Sequence, residues 1–120
     1  MKVVLMLAIA LHALPAVFWA GTSFALARGG SAGAPALRKP QLAAALVAIV
    51  SGALLGHLAH PGAFGAAERV LAFGAGAALL AAVFQVCALR GWASDAAAQR
   101  IAAGLLAVSL LCMVLARYAG

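Results

Sequence analysis

Four long apolar runs, separated by short breaks that hold most of the charged residues, dominate the chain. The runs cover about residues 3–27, 41–58, 70–89 and 101–116. A helix needs roughly 20 mostly apolar residues to cross about 30 Å of hydrocarbon. The runs do not alternate apolar and polar residues as the strands of a membrane barrel do. The pattern therefore predicts an all-α integral membrane protein, a four-transmembrane-helix up-down bundle that forms a single domain over residues 1–120.

The breaks between the runs contain the residues that usually end or start helices. Residues 28–35 are rich in Gly and small residues and predict a flexible linker, and Pro40 is tolerable as a helix start. The His60-Pro61-Gly62 sequence is expected to end the second helix. The Ser94-Asp95 pair before Ala96 is expected to supply the N-cap of the fourth helix.

Composition supports a membrane location, since 68% of the residues are apolar and only 8% are charged. A soluble domain usually carries about 25% charged residues. The net charge of +6 comes from cations scattered in ones and twos at the ends of the apolar runs, which indicates membrane topology and not a nucleic-acid surface. A cleavable signal is the alternative for the first run, but its length of about 25 residues exceeds the 7–15 of a signal core.

The distribution of Lys and Arg predicts an orientation. Five of these residues fall on the side of the first and third loops, and three on the opposite side. The five are Arg28, Arg38, Lys39, Arg90 and Arg100, and the three are Lys2, Arg69 and Arg117. Because cytoplasmic loops carry the excess of cations, both termini are expected outside and these two loops inside. Trp92 and Tyr118 would lie in the two interfacial aromatic belts.

Polar residues within apolar spans are rare and are functional candidates by default. They are His12, Trp19, Thr22, Ser23, Ser51, His57, His60, Gln85, Cys87, Ser109 and Cys112. Both acidic residues are expected in loops, which argues against proton-coupled antiport through an intramembrane carboxylate and against paired-carboxylate catalysis.

His12 is the candidate with the most unusual position. At 100° per residue, His12, Trp19 and Ser23 form one stripe that is expected to face the bundle interior. His12 would lie about 13 Å below the outer end of the helix, near the bilayer midplane, and Pro15 is expected to kink the helix there. An imidazole at that depth requires a ligand or a hydrogen bond, for which Ser51, Ser109 and a backbone carbonyl are the candidates.

His57 and His60 lie three residues apart near the outer end of the second helix. Two imidazoles at this spacing can bind copper or zinc, or one can be an axial haem ligand. His60 can equally be a polar residue at a helix end. Candidate cofactor-binding residues are thus His12, His57 and Trp19, and candidate metal ligands are His12, His57 and His60.

Small residues predict where helices approach closely. The Gly52-x-x-x-Gly56 motif and the Gly74/Ala78 stripe are typical packing surfaces, and Gln85 on the latter face is expected to pack between helices. A disulfide between Cys87 and Cys112 is not expected, because they would lie at different depths.

The sequence Leu11-His12, six residues, Trp19-Ala20-Gly21 resembles the first helix of two groups of bacterial membrane proteins. These are the copper-resistance protein D (CopD-like) family and the HemJ-type protoporphyrinogen oxidases. Residues 37–41 leading into Ser51-Gly52 resemble their second helix, so the similarity covers about the first half of the chain. It implies a bacterial inner membrane location, and His12 as a haem ligand or as one histidine of a copper path.

Two functional hypotheses follow. The first is a small inner-membrane protein that binds b-type haem, or copper, through His12 with help from His57, in electron transfer or haem/copper handling. The second is a non-catalytic membrane subunit or assembly factor that packs on a membrane partner, or on further copies of itself, through Gly/Ala faces. A small-solute channel would require oligomerisation. Whether the protein is an enzyme stays open, since any chemistry would come from a bound cofactor.

Overall fold

The computed structural model describes residues 2–30, 32–59, 62 and 64–119, which form four α-helices. α1 is Lys2–Arg28, α2 is Ala34–Ala59, α3 is Ala66–Leu89 and α4 is Asp95–Ala116. Each helix is long and apolar enough to cross a membrane. The predicted all-helical, four-span architecture is confirmed.

The second helix begins at Ala34, well before the predicted start at residue 41. Pro35 stands in the first turn, where its missing N–H removes no helix hydrogen bond. Pro40 lies inside the helix instead of starting it. The carbonyl that Pro40 leaves without a partner belongs to Ala36, which is exposed and can be solvated. The predicted linker therefore shortens to the few residues before Ala34.

The turn between α3 and α4 is defined by backbone hydrogen bonds and a side-chain cap. Gly91 has φ +77°, a conformation that favours glycine, and the N–H of Trp92 reaches the Cys87 carbonyl at 2.8 Å. The predicted N-cap is confirmed, because Oγ of Ser94 accepts a 3.1 Å hydrogen bond from the N–H of Ala97. These interactions start α4 at Asp95, earlier than residue 101.

The helices pack as two antiparallel hairpins. α3 packs most closely on α4, and α1 on α2. α1 joins the hairpins by also packing on α4, whereas α2 and α3 touch less. The ends of α1 and α3 consequently lie beside the starts of α2 and α4, at the end of the bundle that carries the first and third loops.

The interior consists mostly of small side chains, and most of the large apolar side chains face outward. Its main cluster contains Trp19 and Leu106 among alanines of all four helices. Leu14 and Val17, by contrast, are 73% and 70% exposed. This is the packing expected in lipid, where small residues let helices approach and the bilayer covers the large apolar side chains.

Candidate functional site

His12 is anchored to α2 by its Nδ1 atom. Nδ1 lies 2.8 Å from the carbonyl oxygen of Ala48 and 3.2 Å from Oγ of Ser51. A carbonyl can only accept, so Nδ1 carries a proton and donates it. The Ser51 hydroxyl in turn lies 2.6 Å from the Val47 carbonyl, to which it donates. The interhelical hydrogen bond considered from the sequence is therefore present, and its main acceptor is a backbone carbonyl.

The second ring nitrogen of His12, Nε2, has a different environment. In the part of the chain that the structure describes, every buried side-chain nitrogen or oxygen has a hydrogen-bond partner. Nε2 has none among these residues, and His12 is only half-buried, so Nε2 reaches the surface. In the neutral imidazole with Nδ1 protonated, the lone pair available for a ligand lies on Nε2.

The His12 ring lies against the backbone of α2 at Gly52. A Cβ atom placed on Gly52 would be 2.9 Å from Cε1 of His12, which is closer than real Cβ contacts. Gly56, one turn further, has open space at the same position. Gly52 of the predicted Gly52/Gly56 pair is thus used inside the chain, where it makes room for the histidine.

An apolar surface groove of about 320 Å³ runs beside this histidine, between α1 and α2. It is lined by Leu11, Leu46, Val47, Val50, Ser51 and Leu54. Leu11 precedes His12 in the chain, and Ser51 contacts its ring. The groove is open to the outer surface of the bundle, and His12 lies next to its lining residues and is not one of them.

The other candidate histidines are not brought to this position. His57 is exposed on the last turns of α2, and no hydrogen bond or ion pair joins it to His12. His60 lies outside the described residues. Within the described ranges there is no group of three or more His, Cys, Asp or Glu side chains that could hold a metal ion. The arrangement thus offers one imidazole nitrogen.

Trp19 is buried two turns further along α1, about 10 Å from His12 along the helix axis. Its indole Nε1 donates a 2.6 Å hydrogen bond to Oε1 of Gln85 on α3. The amide nitrogen of Gln85 donates to Oγ of Ser23 at 3.0 Å. Trp19 and Ser23 of the predicted stripe therefore face the interior, where they belong to a cluster of polar side chains. His12 of the same stripe contacts α2 and is not part of this cluster.

This polar cluster joins all four helices near the end with the first and third loops. Gln99 of α4 donates through Nε2 to Oε1 of Gln41 of α2 at 2.8 Å. Gln41 donates to Oγ1 of Thr22 at 3.0 Å, and Gln85 lies 3.3 Å from Oε1 of Gln99. The three glutamines are each at most 4% exposed. Their side-chain amides hydrogen-bond with one another and with α1, and the cluster contains no charged residue.

Gln41 and Gln99 did not stand out in the sequence. Each lies at or before the predicted start of an apolar run, where a polar residue is expected at the membrane surface. A helical-face pattern could have identified them. Gln41 shares a face with Ala45 and Ala48, and Gln99 with Ala102, all of which are buried.

The structure also bears on the predicted small-residue face of α3 and on the two cysteines. Gly74, Ala78, Ala81 and Gln85 lie on the buried face of α3, as expected. A Cβ on Gly74 would be 2.8 Å from that of Cys112, so α3 and α4 approach closely there. Cys87 and Cys112 are both free.

Comparison of the chain with models of protein families, with curated proteins and with solved structures found no match.

Proposed function

We propose that this chain is an integral membrane protein that binds haem b through Nε2 of His12, beside the α1–α2 groove, and acts in electron transfer or haem handling. The observation that carries the proposal is the 2.8 Å contact between Nδ1 of His12 and the Ala48 carbonyl. A ligating histidine typically donates its other ring N–H to such an acceptor, which fixes the tautomer and the ring orientation. The half-buried position of His12 and the unpaired Nε2 support the same role.

One imidazole nitrogen of this chain, Nε2 of His12, is available as an axial ligand for a haem. His12 would hold the iron, and the apolar side chains of the groove would contact the macrocycle. A haem bound there would supply one-electron redox chemistry, with the potential set by the axial ligand and by its apolar surroundings. His57, predicted as a helper, is exposed elsewhere on α2 and is not required by this arrangement.

Copper is the second ligand that this donor chemistry allows, because imidazole suits copper as well as iron. A single nitrogen is a poor copper site, and no cluster of three potential ligand residues occurs in the described ranges. Copper binding would therefore require donors from outside those ranges or from another copy of the chain. Haem is favoured because one axial imidazole is sufficient to attach it.

The membrane in question is proposed to be a bacterial-type inner membrane, with both termini outside. The excess of Lys and Arg at one end of the bundle supports the orientation, since five lie at the end with the first and third loops and three at the other. The proposal of a bacterial membrane rests on the resemblance of the first half of the chain to bacterial membrane proteins. Two reporters fused to the C-terminus test this orientation, one active only in the periplasm and one active only in the cytoplasm. The periplasmic reporter is expected to be active, and activity of the cytoplasmic reporter alone would reverse the orientation.

The functional test compares ligand content in matched variants. Wild-type protein purified from haem-replete membranes is expected to contain haem, and His12→Gln is expected to lose it. A second variant, His12→Asn, is also expected to lose haem. Its amide nitrogen stands at the position of Nδ1 and can still donate to the Ala48 carbonyl, so the pair of variants separates loss of the ligand from loss of the helix contact. His57→Gln is the control and is expected to keep its haem.

Metal analysis of the same samples distinguishes the alternatives. If the wild-type protein contains copper and no haem, and His12→Gln loses the copper, then copper replaces haem as the proposed ligand. A protein that contains neither, but that co-purifies with a stoichiometric membrane partner, would overturn the proposal in favour of a non-catalytic subunit.

A further inference from the structure

Four exposed cations surround one end of the bundle, one from each helix or its cap. They are Arg28 at the end of α1, Lys39 in α2, Arg90 at the C-cap of α3 and Arg100 in α4. We call these four residues the basic rim. The basic rim is thus distributed over all four helices and is not confined to one of them.

The chain contains no acidic residue that is free to neutralise this rim. It has two Asp and Glu residues in total. Asp95 is held by Arg38, whose Nε donates to Oδ1 at 3.0 Å while Nη2 donates to Oδ2. Glu68 lies at the opposite end, where its carboxylate accepts a hydrogen bond from the N–H of Gly65. Any counter-charge on the rim must therefore come from outside the chain.

The height of the rim matches that of lipid headgroups. The longest dimension of the molecule is 43 Å, close to the 40–45 Å of a bilayer with its headgroups. The ends of the bundle therefore reach the phosphate layers. Trp92 on the same end is 74% exposed, and the Arg90 guanidinium lies 6.0 Å from its ring centroid. An exposed Trp beside a cation is typical of the membrane interface.

We infer that the basic rim binds the headgroups of anionic phospholipids, so that the bundle is held in its leaflet by a ring of negatively charged lipids. The charge complementarity, the missing internal counter-ions and the headgroup-level position all support this occupant. The spacing of the cations around the four helices suits several separate headgroups better than one polyanion. The inference does not depend on ligand binding by His12.

The experiment measures thermal unfolding of the full chain in two sets of nanodiscs, one of phosphatidylcholine and one containing phosphatidylglycerol. Wild-type protein is expected to melt at a higher temperature in the anionic discs, and added salt should reduce the difference. The double variant Lys39→Gln/Arg100→Gln removes two of the four rim cations and should reduce the shift to roughly half. The control Arg69→Gln/Arg117→Gln loses the same charge from exposed positions at the other end and should keep a larger share of it.

Two outcomes would overturn the inference. One is an equal melting temperature of the wild type in both discs. The other is an equal loss in both double variants, which would mean that only net charge matters. If the protein in phosphatidylcholine discs binds a soluble nucleic acid and its melting temperature does not respond to phosphatidylglycerol, the partner of the basic rim is a nucleic acid and the inference is wrong.

Discussion

The indole N–H of Trp19 donates a 2.6 Å hydrogen bond to Oε1 of Gln85, which is 66 positions away in the chain. This bond connects the first hairpin of helices to the second through the largest side chain of the core. In a bundle whose interior is mostly alanine, such polar contacts specify which helices meet and at what height, because an unpaired N–H in lipid is costly.

Replacing Gln85 with Leu should therefore destabilise the bundle. The variant leaves the Trp19 N–H and Ser23 without the Gln85 amide, at a cost of about 1–2 kcal/mol. Reversible unfolding in mixed micelles measures the free energy. Val83→Ala, at a 54% exposed position on the same helix, is the control and should change it less. A loss no larger than the control's would show that the hydrogen bond has no net value.

The 2.8 Å bond between Gln99 and Gln41 predicts energetic coupling between α2 and α4. In a double-mutant cycle with Gln41→Leu and Gln99→Leu, the double variant should cost less than the sum of the single ones. A coupling of about 0.6–1.7 kcal/mol is expected for a hydrogen bond between membrane helices. Additive effects would mean that the two amides do not interact in the folded protein.

Gly74 and Gly76 offer a matched pair for testing the α3–α4 contact. An added Cβ at Gly74 would be 2.8 Å from that of Cys112, whereas Gly76 has open space. Gly74→Ala is expected to destabilise by about 1–3 kcal/mol through overpacking. Gly76→Ala should be neutral or slightly stabilising, because Ala favours the helix. Equal effects at the two positions would contradict the close approach of α3 and α4.

A second glycine pair connects packing to the proposed ligand. Gly52→Ala would push on the His12 ring, because the new Cβ would lie 2.9 Å from Cε1, whereas Gly56→Ala adds its methyl group to open space. Haem content per chain is expected to fall in the first variant and to stay unchanged in the second. If both variants bind as the wild type does, the orientation of His12 against α2 is not important for the ligand.

The length of the apolar runs was sufficient to predict the four helices, because a run long enough to span a membrane is a strong signal in a chain with so few charged residues. It was less informative about where helices start. α2 extends back through Pro40, and the carbonyl that loses its helix hydrogen bond there belongs to the exposed residue Ala36. No local rule for Pro predicts that a helix continues through it in this way. The same error hid Gln41 and Gln99, since residues assigned to a helix end were not considered as core.

Within the candidate site, helical geometry predicted the buried positions of Trp19 and Ser23 but not their partners. The partners come from other helices, and their relative height depends on packing that the sequence of α1 does not encode. The exposure of His57 has the same origin, because the rotation of α2 about its axis is set by the face that packs on α1.

The reduced-minus-oxidised absorption spectrum of the purified wild-type protein tests the central proposal most directly. A haem Soret band and a reduced α-band, at about one haem per chain and absent from His12→Gln, are the expected result. Wild-type protein without these bands, prepared from haem-replete membranes, would contradict haem binding. Bands that persist unchanged in His12→Gln would show that another residue holds the iron.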